Sequence, residues 1–386
     1  MKKKRLAIIS SHPIQYNAPM FALLAKSAHI EPKVFYTWSQ SNEKLYDKDF
    51  GKEIKWDIPL LDGYDYQFVK NVSKYPGPHG YKGIDCPELN NEIKRWQADA
   101  LLVFGWNYKA HYKAMFYFKG KIPVYFRGDS TLIDETAGLR QWLRRLVLKF
   151  VYTHCDGAFF VGDHNKAYFL KHGFKEKELF FAPHAIDNER FSANENEACA
   201  TALQWRAEMG IDATDKVVLF VGKFEPKKNP LLLLDAFRHV NQTNSHLVFV
   251  GNGFLEEQMR EVAEGQMNIH FMPFQNQQAM PSVYRMGDVI ALPSQGPGET
   301  WGLVINEAMA CKRAVLVSNR AGCAPNLVED GLNGYVFVSG SKEDCADKLS
   351  RMLGSQCDLK EMGEAGRRKI EKWSFEEIVK SLESNI

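Results

Sequence analysis

The chain has 386 residues, of which 45% are hydrophobic and 25% are charged. That length suits about two domains of roughly 150 residues each, and the composition is that of a globular protein with buried cores. Lys and Arg number 49 and Asp and Glu number 47, so the formal net charge is only +2. This balance argues against nucleic acid as a partner, because proteins that bind nucleic acid usually carry a strong basic bias.

Cysteine use and hydropathy narrow the class of protein further. The seven cysteines are odd in number, and no two of them form a C-x-x-C pair. This pattern argues against a disulfide framework or a zinc site and favours a reducing cytoplasm. No apolar run approaches the ~20 residues that a membrane-spanning helix needs. We therefore expect a soluble, cytoplasmic protein.

Short apolar runs alternate with polar or helical stretches along the whole chain. In the first half the runs span 6–11, 33–38, 66–70, 100–106, 123–128, 157–162 and 179–184. In the second half they span 216–222, 246–251, 268–274, 289–294, 314–318 and 335–339. Continuous runs are typical of strands buried on both faces of a parallel sheet. The alternation predicts an α/β fold with two doubly wound, Rossmann-like domains.

The domain boundary is predicted in the polar stretch that begins near residue 192. We expect a first domain at 1–192, a second at 193–370, and an amphipathic helix at 371–386 that packs back on the first domain. Sheets of this kind bind ligands at the carboxyl ends of their strands, so we expect two crevices that face each other across an interdomain cleft.

The segment SQGPGETWGLVINEAMACKRAVLVS at 294–318 places a glycine-rich loop between a buried strand and a helix that begins near Trp301 or Gly302. Amides at a helix N-terminus bind phosphate oxygens, and glycines let the backbone approach a ligand. Glu299 and Glu307 are candidates to accept hydrogen bonds from sugar and ribose hydroxyls. The alternative is an ordinary strand-to-helix crossover with two surface acids.

A second segment, VVLFVGKFEPKKNPLLLLDAF at 217–237, places three lysines between a strand and a helix that begins near Pro230. The lysines are Lys223, Lys227 and Lys228. Cations at this position can neutralise a diphosphate leaving group, as a metal ion does in other enzymes. The alternative is a solvated basic turn.

Four stretches resemble the retaining glycosyltransferases of family 4, which have the GT-B fold. They are VGKFEPKKNP, GNG at 251–253, ETWGLVINEAMACKRAV and APHAIDNERF. The Glu-x7-Glu spacing from Glu299 to Glu307 is the most specific of these features. The resemblance covers the second domain and the linker, and it is weaker in the first domain.

The resemblance implies a role for each matching residue. Glu299 would hold donor-sugar hydroxyls near the anomeric carbon, and Glu307 would hold the donor ribose. Lys223 and Lys228 would grip the diphosphate, with Lys223 where arginine is more usual, so the charge is kept but bidentate geometry is lost. The loops around the sugar, phosphates and base would be formed by Trp301, Gly302, Leu303, Gly251, Gly253 and Phe274.

The first domain departs from the family pattern. SSHPIQYNAPM replaces a glycine-rich loop, and YFRGDS at 125–130 stands where the family commonly has a histidine. Arg127 or Asp129 can fill part of that role, although Asp129 can instead cap the following helix. The acceptor-side candidates are His12, Gln15, Asn107, Arg127 and Asp129.

The resemblance implies transfer of a hexose from a UDP- or GDP-sugar to a saccharide or lipid-linked acceptor, with retention of configuration. It implies no metal or other cofactor, and a role in cell-surface polysaccharide biosynthesis. Two alternatives stay open: a nucleotide-sugar epimerase on the same fold, and a non-catalytic protein that binds a nucleotide sugar.

Two further patterns have competing interpretations. The basic, amphipathic segment LRQWLRRLVLKFVY at 139–152 can rest on an anionic membrane, at its inner face. The interpretation that we favour is a crossover helix packed on the sheet with a solvated basic face. The D-x-D sequence Asp47-Lys48-Asp49 matches metal-dependent transferases, but it lies in a polar loop and is interpreted as chance.

Overall fold

The computed structural model describes residues 2–42, 46–47, 52–53, 56–78, 80–240 and 242–386. These residues fall into two compact units, one drawn from 1–45, 54–184 and 375–386 and the other from 46–53 and 185–374. Lys48 and Asp49 of the D-x-D sequence lie outside the described residues.

The first unit contains a seven-stranded parallel sheet with the strand order β5-β2-β1-β6-β7-β8-β9. Its strands are β1 (Lys4–Ser10), β2 (Ile30–Tyr36), β5 (Asp65–Phe68), β6 (Ala100–Phe104), β7 (Val124–Arg127), β8 (Gly157–Phe160) and β9 (Leu179–Phe181). Its helices are α1 (Ala18–Leu24), α2 (Leu89–Trp96), α3 (Lys109–Phe118), α4 (Leu139–Tyr152), α5 (Asp163–Lys171) and α15 (Phe375–Asn385). The short strands β3 (Tyr46–Asp47) and β4 (Lys52–Glu53) belong to the second unit and form a separate antiparallel pair.

The second unit contains a six-stranded parallel sheet with the order β12-β11-β10-β13-β14-β15. Its strands are β10 (Lys216–Val221), β11 (Ser245–Val250), β12 (Ile269–Met272), β13 (Val289–Leu292), β14 (Ala314–Ser318) and β15 (Gly334–Phe337). Its helices are α6 (Asn188–Ser192), α7 (Glu195–Glu208), α8 (Pro230–Val240), α9 (Glu256–Val262), α10 (Met280–Met286), α11 (Leu303–Ala310), α12 (Ala324–Leu327), α13 (Lys342–Leu353) and α14 (Leu359–Ile370).

The predicted fold class is confirmed as two parallel-sheet, Rossmann-like α/β domains. Each predicted apolar run overlaps one strand of the two parallel sheets. The strands are buried as the continuous runs require, since the β13 and β14 side chains are almost fully shielded from solvent. The helices predicted near Pro230 and Gly302 begin at Pro230 and Leu303.

The chain passes from the first unit to the second after His184, which is earlier than the predicted boundary near residue 192. The reason is that α6 packs within the second unit. Phe191 of α6 is fully buried, its ring lies 5.8 Å from that of Tyr284, and its carbonyl accepts a hydrogen bond from the Cys311 thiol. A buried aromatic side chain therefore assigns this polar stretch to the second unit.

The chain returns to the first unit through α15. Tyr125 of β7 donates a hydrogen bond to the Asn385 carbonyl (2.7 Å), and Lys4 of β1 donates to the Ile386 carbonyl (2.5 Å). The Ser27 hydroxyl donates to the Glu383 carboxylate (2.5 Å). These contacts fasten α15 to two central strands of the first sheet.

Within the part of the chain that the structure describes, no helix combines the length and the hydropathy that spanning a bilayer requires.

Candidate functional site

The loops that follow β10 and β13 lie side by side, because these two strands are neighbours in the second sheet. We call residues 222–229 the lysine loop and residues 293–302 the glutamate loop. Gln295 joins them: its amide donates to the Lys227 carbonyl (2.9 Å), and its side chain donates to the Pro226 carbonyl (2.8 Å). The two sequence motifs therefore meet at the carboxyl edge of the sheet, where α/β folds bind ligands.

Lys228 and Glu299 form an ion pair between these loops. The Lys228 ammonium donates to Oε2 of Glu299, and the Ser294 hydroxyl donates to the same oxygen at 2.8 Å. The Glu299 side chain is 8% exposed and that of Lys228 is 22% exposed. Burying an ion pair is unfavourable unless further hydrogen bonds compensate, and Ser294 supplies one. For this pair, the alternatives of a surface acid and a solvated basic turn are wrong.

The three lysines of the lysine loop differ in their surroundings. Lys227 is 42% exposed and pairs with Glu225 at 3.3 Å, so it has the solvated character of an ordinary turn. Lys223 is partly buried and lies directly after Gly222, at the end of β10. Only the tertiary structure separates Lys228, which contacts Glu299, from its immediate neighbour in sequence.

The glutamate loop leads directly into α11. Gly302 has a φ of +101°, and an added Cβ atom would lie 2.5 Å from Cδ2 of Leu292. A side chain there would be strained and would also clash with β13, so this turn requires glycine. The helix begins at Leu303, and the first amides of a helix have no partner within it. These donors lie beside the glutamate loop and are suited to bind an anion.

The segment after β14 holds the glutamate loop in place, a contact that the sequence analysis missed. The Gly322 amide donates to the Glu299 carbonyl (3.2 Å), and the Cys323 amide donates to the Trp301 carbonyl (3.0 Å). Trp301 is buried, and its indole N–H donates to Oδ1 of Asn306 (2.8 Å). These bonds hold the backbone that precedes the turn into α11 and link Trp301 to the helix itself, so the loop is preorganised.

Glu307 lies in the second turn of α11 and is only 3% exposed. Its Oε2 atom accepts a hydrogen bond from the hydroxyl of Tyr284, a fully buried residue of α10. Glu307 is therefore not a surface acid either. Nothing in the sequence marked Tyr284, because it lies within an ordinary apolar helix pattern.

The loops after β11 and β12 complete the carboxyl edge. Gly251 has a φ of +147°, and an added Cβ atom would approach the Gly222 carbonyl oxygen to 2.0 Å. Asn252 joins three loops, since its carbonyl accepts from the Phe224 amide and its side chain accepts from the Phe274 amide, both at 3.0 Å. At this edge the structure gathers Lys223, Lys228, Glu299, Trp301, Gly302, Leu303, Gly251, Gly253 and Phe274, with Glu307 inside α11.

The side chain of Arg127, in the first unit, is hydrogen-bonded to backbone carbonyls. It is 7% exposed, and its guanidinium donates to the carbonyls of Ala182 (2.8 Å) and Pro183 (2.9 Å). Burial lowers the pKa of Arg127 to about 10, so the side chain stays charged near neutral pH. Its position ties β7 to the chain that follows β9.

Asp129 does not cap a helix, so that interpretation is wrong. The next helix, α4, begins at Leu139 and has Gly138 at its N-cap position. The Asp129 carboxylate is 47% exposed and lies 3.9 Å from Nε2 of His184. His184 was missed as a site candidate, although it lies within the APHAIDNERF stretch. Burial lowers the pKa of His184, which favours its neutral form.

The remaining first-unit candidates follow β1 and β6, which are neighbouring strands. His12 is hydrogen-bonded through Nδ1 to the Ser11 hydroxyl (2.9 Å) and packs edge-on against Trp38, and burial lowers its pKa to about 4. Gln15 is partly buried, whereas Asn107 is exposed. These candidates therefore lie at the carboxyl edge of the first sheet.

Comparisons with known proteins agree with this fold. Anabaena Alr3699/HepE, solved in complex with UDP and glucose, superposes with a TM-score of 0.67 at 15% identity over 99% of both chains. Sucrose-phosphate synthase from Thermosynechococcus elongatus superposes with a TM-score of 0.72 at 17% identity, over 99% of this chain and 98% of that one. These likenesses confirm the GT-B fold class.

Sequence comparison finds similar proteins for the second unit. Residues 202–369 match the family model described as Glycosyl transferases group 1. D-inositol 3-phosphate glycosyltransferase of Segniliparus rotundus is 32% identical over 186 residues, which is 46% of this chain and 41% of that protein. The chain thus spans about two fifths of that relative's length. The match to the family model includes the lysine loop, the glutamate loop and α11.

Proposed function

We propose that the chain is a retaining, metal-independent glycosyltransferase of family 4 that moves a hexose from a UDP- or GDP-sugar to a saccharide or lipid-linked acceptor. One observation carries the proposal: the buried ion pair between Lys228 and Glu299 lies beside the start of α11, inside the glycosyl transferases group 1 domain. This arrangement provides a cation, a carboxylate and the N-terminal amides of a helix within one preorganised group of loops.

The proposed reaction uses these groups where charge develops. The bond from the anomeric carbon to the diphosphate oxygen breaks, and a bond from that carbon to the acceptor oxygen forms on the same face. The acceptor proton passes to the departing diphosphate. Lys223, Lys228 and the first amides of α11 stabilise the negative charge on the leaving group, which is the task of a metal ion in other transferases.

The two carboxylates recognise hydroxyl groups in this proposal. Glu299 accepts hydrogen bonds from the donor sugar, and Glu307 accepts them from the ribose. Both are buried carboxylates, so a ligand that lacks the matching hydroxyl forgoes a hydrogen bond to a charged acceptor and binds less well. On the acceptor side we propose His12, Gln15, Asn107 and Asp129, with Arg127 holding the backbone. We further propose a cytoplasmic role in cell-surface polysaccharide biosynthesis.

A two-stage experiment tests this function. A thermal-shift screen of UDP, GDP and ADP, followed by their sugars, identifies the nucleotide; we expect UDP or GDP at 100-fold above its Kd to add about 2.7 kcal/mol of stability. The stabilising sugar is then incubated with candidate acceptors, and NMR determines the anomeric configuration of the product. We expect retention, and nucleotide release that requires an acceptor.

Each other outcome has a distinct meaning. Conversion of the donor alone into a second nucleotide sugar would identify an epimerase. Stabilisation by a nucleotide sugar with no transfer to any acceptor would identify a non-catalytic binding protein. No stabilisation by any nucleotide, together with no transfer, would overturn the proposal.

A further inference from the structure

Helix α4 exposes a continuous apolar stripe. Six large side chains on it are 47% to 74% exposed: Leu139, Trp142, Leu143, Leu146, Val147 and Phe150. Their spacing of three and four residues places them on one side of the helix. Leu148, Val151 and Tyr152 point elsewhere and are buried in the core of the first unit. The helix therefore has two apolar faces, and only one of them packs against other residues that the structure describes.

This exposed stripe continues onto the neighbouring helix α3. Phe116 is 59% exposed. The ring of His154 lies 5.1 Å from that of Phe116 and 5.0 Å from that of Phe150, so the three rings form one surface. We call this set the α4 apolar face: the six residues of the stripe together with Phe116. A contiguous exposed apolar patch of this kind marks an interaction site.

The charged residues of helix α4 itself all have one sign. The segment 139–152 contains four Arg or Lys residues and no Asp or Glu. Arg145 pairs with Glu135 at 3.2 Å, while Arg140, Arg144 and Lys149 are exposed. Lys113 is also exposed, one turn before Phe116 on α3. The apolar surface is thus bordered by cations, which a solvated basic helix face does not require.

We propose that the α4 apolar face docks on the surface of an anionic lipid bilayer. The helix lies in the plane of the interface, with its apolar stripe at the boundary between headgroups and acyl chains and its cations at the lipid phosphates. Trp142 is suited to this depth, because tryptophan favours the membrane interface. A second copy of this chain is a poorer occupant, since symmetric pairing would bring two cationic surfaces together. The inference does not rest on the proposed enzymatic function.

Co-sedimentation of the full chain with vesicles tests the docking surface. We expect binding to vesicles of phosphatidylcholine mixed with phosphatidylglycerol, and weak binding to phosphatidylcholine alone. The double variant Trp142→Glu/Leu146→Glu should lower the partition coefficient for the mixed vesicles at least ~10-fold. Arg140→Ala and Lys149→Ala should each lower it about fivefold, because one cation near an anionic surface contributes about that factor.

Phe254→Glu is the matched control. Phe254 is 87% exposed and belongs to the second unit, so this variant adds an acid at an exposed aromatic position that is not part of the α4 apolar face, and binding should be unchanged. All the substituted side chains are exposed, so thermal denaturation should show that the variants fold. Absence of binding to phosphatidylglycerol vesicles, or equal binding by Trp142→Glu/Leu146→Glu, would overturn the proposal. A wild-type dimer that this variant dissociates in analytical ultracentrifugation, without lipid binding, would assign the face to a second copy instead.

Discussion

The Lys228 ammonium and the Glu299 carboxylate are hydrogen-bonded across two neighbouring loops, although 71 positions separate them in the sequence. The Ser294 hydroxyl donates to the same carboxylate oxygen, and the Gly322 amide holds the Glu299 backbone. Both charged groups are therefore in place before any ligand binds. In the proposed reaction the diphosphate binds to the Lys228 ammonium and the donor sugar binds to the Glu299 carboxylate, in place of the ion pair. Since both groups are already positioned, little reorganisation accompanies the chemical step.

Removing either partner of this pair should abolish most of the turnover. We expect Lys228→Ala and Glu299→Ala each to lower kcat at least ~100-fold, because each removes a group that stabilises charge in the transition state. Glu299→Gln is a second variant that keeps the size of the side chain, so that a loss of turnover can be separated from misfolding. Steady-state kinetics and thermal denaturation provide the measurement.

The control for the lysine variant is Lys227→Ala. Lys227 is adjacent in sequence but is exposed and paired with Glu225, so this variant should retain activity within about twofold of the wild type. Near-normal turnover of Lys228→Ala or of Glu299→Ala would refute the assignment. Equal losses of turnover in Lys227→Ala and Lys228→Ala would show that the loss reflects the positive charge of the loop in general and not a specific role of Lys228.

Ser294 should act as a positioning residue for Glu299. Ser294→Ala removes one hydrogen bond to a buried charged acceptor, which is worth about 1.5–3 kcal/mol. We expect kcat/KM to fall about tenfold or more, with partial rescue by Ser294→Thr, which restores a hydroxyl. If Ser294→Ala lowers only the melting temperature and leaves kcat/KM unchanged, the hydroxyl has a purely structural role.

The turn into α11 should not tolerate a side chain. Gly302→Ala forces a methyl group against Leu292 at a φ of +101°, and we expect a loss of about 1–3 kcal/mol in stability together with weaker nucleotide binding. Gly298→Ala separates strain from steric clash, since Gly298 also has a positive φ but an added Cβ would meet no atom within 4 Å. Calorimetric unfolding and nucleotide titration of both variants should rank Gly302→Ala as the more damaging; the opposite order would contradict this account.

Activity should persist in the presence of EDTA. Lysines and helix amides replace the divalent cation in the proposed mechanism, so chelation should leave kcat and KM unchanged within error. Initial rates with and without EDTA, on protein dialysed against the chelator, give the comparison. A loss of activity that Mg²⁺ or Mn²⁺ restores would exclude the metal-independent mechanism.

Stability should fall on mild acidification because a fully buried histidine is held neutral. His111 accepts at Nε2 from Thr37 and faces backbone carbonyls through Nδ1, and burial lowers its pKa from 6.5 to about 4. Between these two values the unfolded chain binds more protons than the folded chain, so the stabilisation present above 6.5 is lost as the pH falls. We expect this group to contribute a loss of about 2 kcal/mol by about pH 5.

The variant His111→Gln isolates this contribution. Melting temperatures measured across the same pH range should decline less steeply for His111→Gln than for the wild type. The exposed His239 provides the control, since His239→Gln should follow the wild-type slope. An unchanged slope in His111→Gln would show that other groups cause the acid sensitivity.

The local features of the second unit were predictable from the sequence because they arise from local patterns. Continuous apolar runs predicted the strands, and Pro230 and Gly302 predicted where α8 and α11 begin. The carboxyl ends of parallel strands share one edge, so the residues after β10, β11, β12 and β13 had to lie near one another. Less of the site was predictable in the first unit, where His184 contacts Asp129 and Arg127 binds backbone carbonyls.

By itself the sequence determined two parallel α/β sheets, the loops that carry charged residues, and a basic amphipathic segment at 139–152. The tertiary structure alone decided that Lys228 rather than Lys227 meets Glu299, that Tyr284 supports Glu307, and that α4 turns its large apolar stripe to solvent. The physical reason is that secondary structure follows from periodicity over a few residues. Burial and ion pairing instead depend on which distant segments pack together, and no short stretch of sequence shows its distant partners.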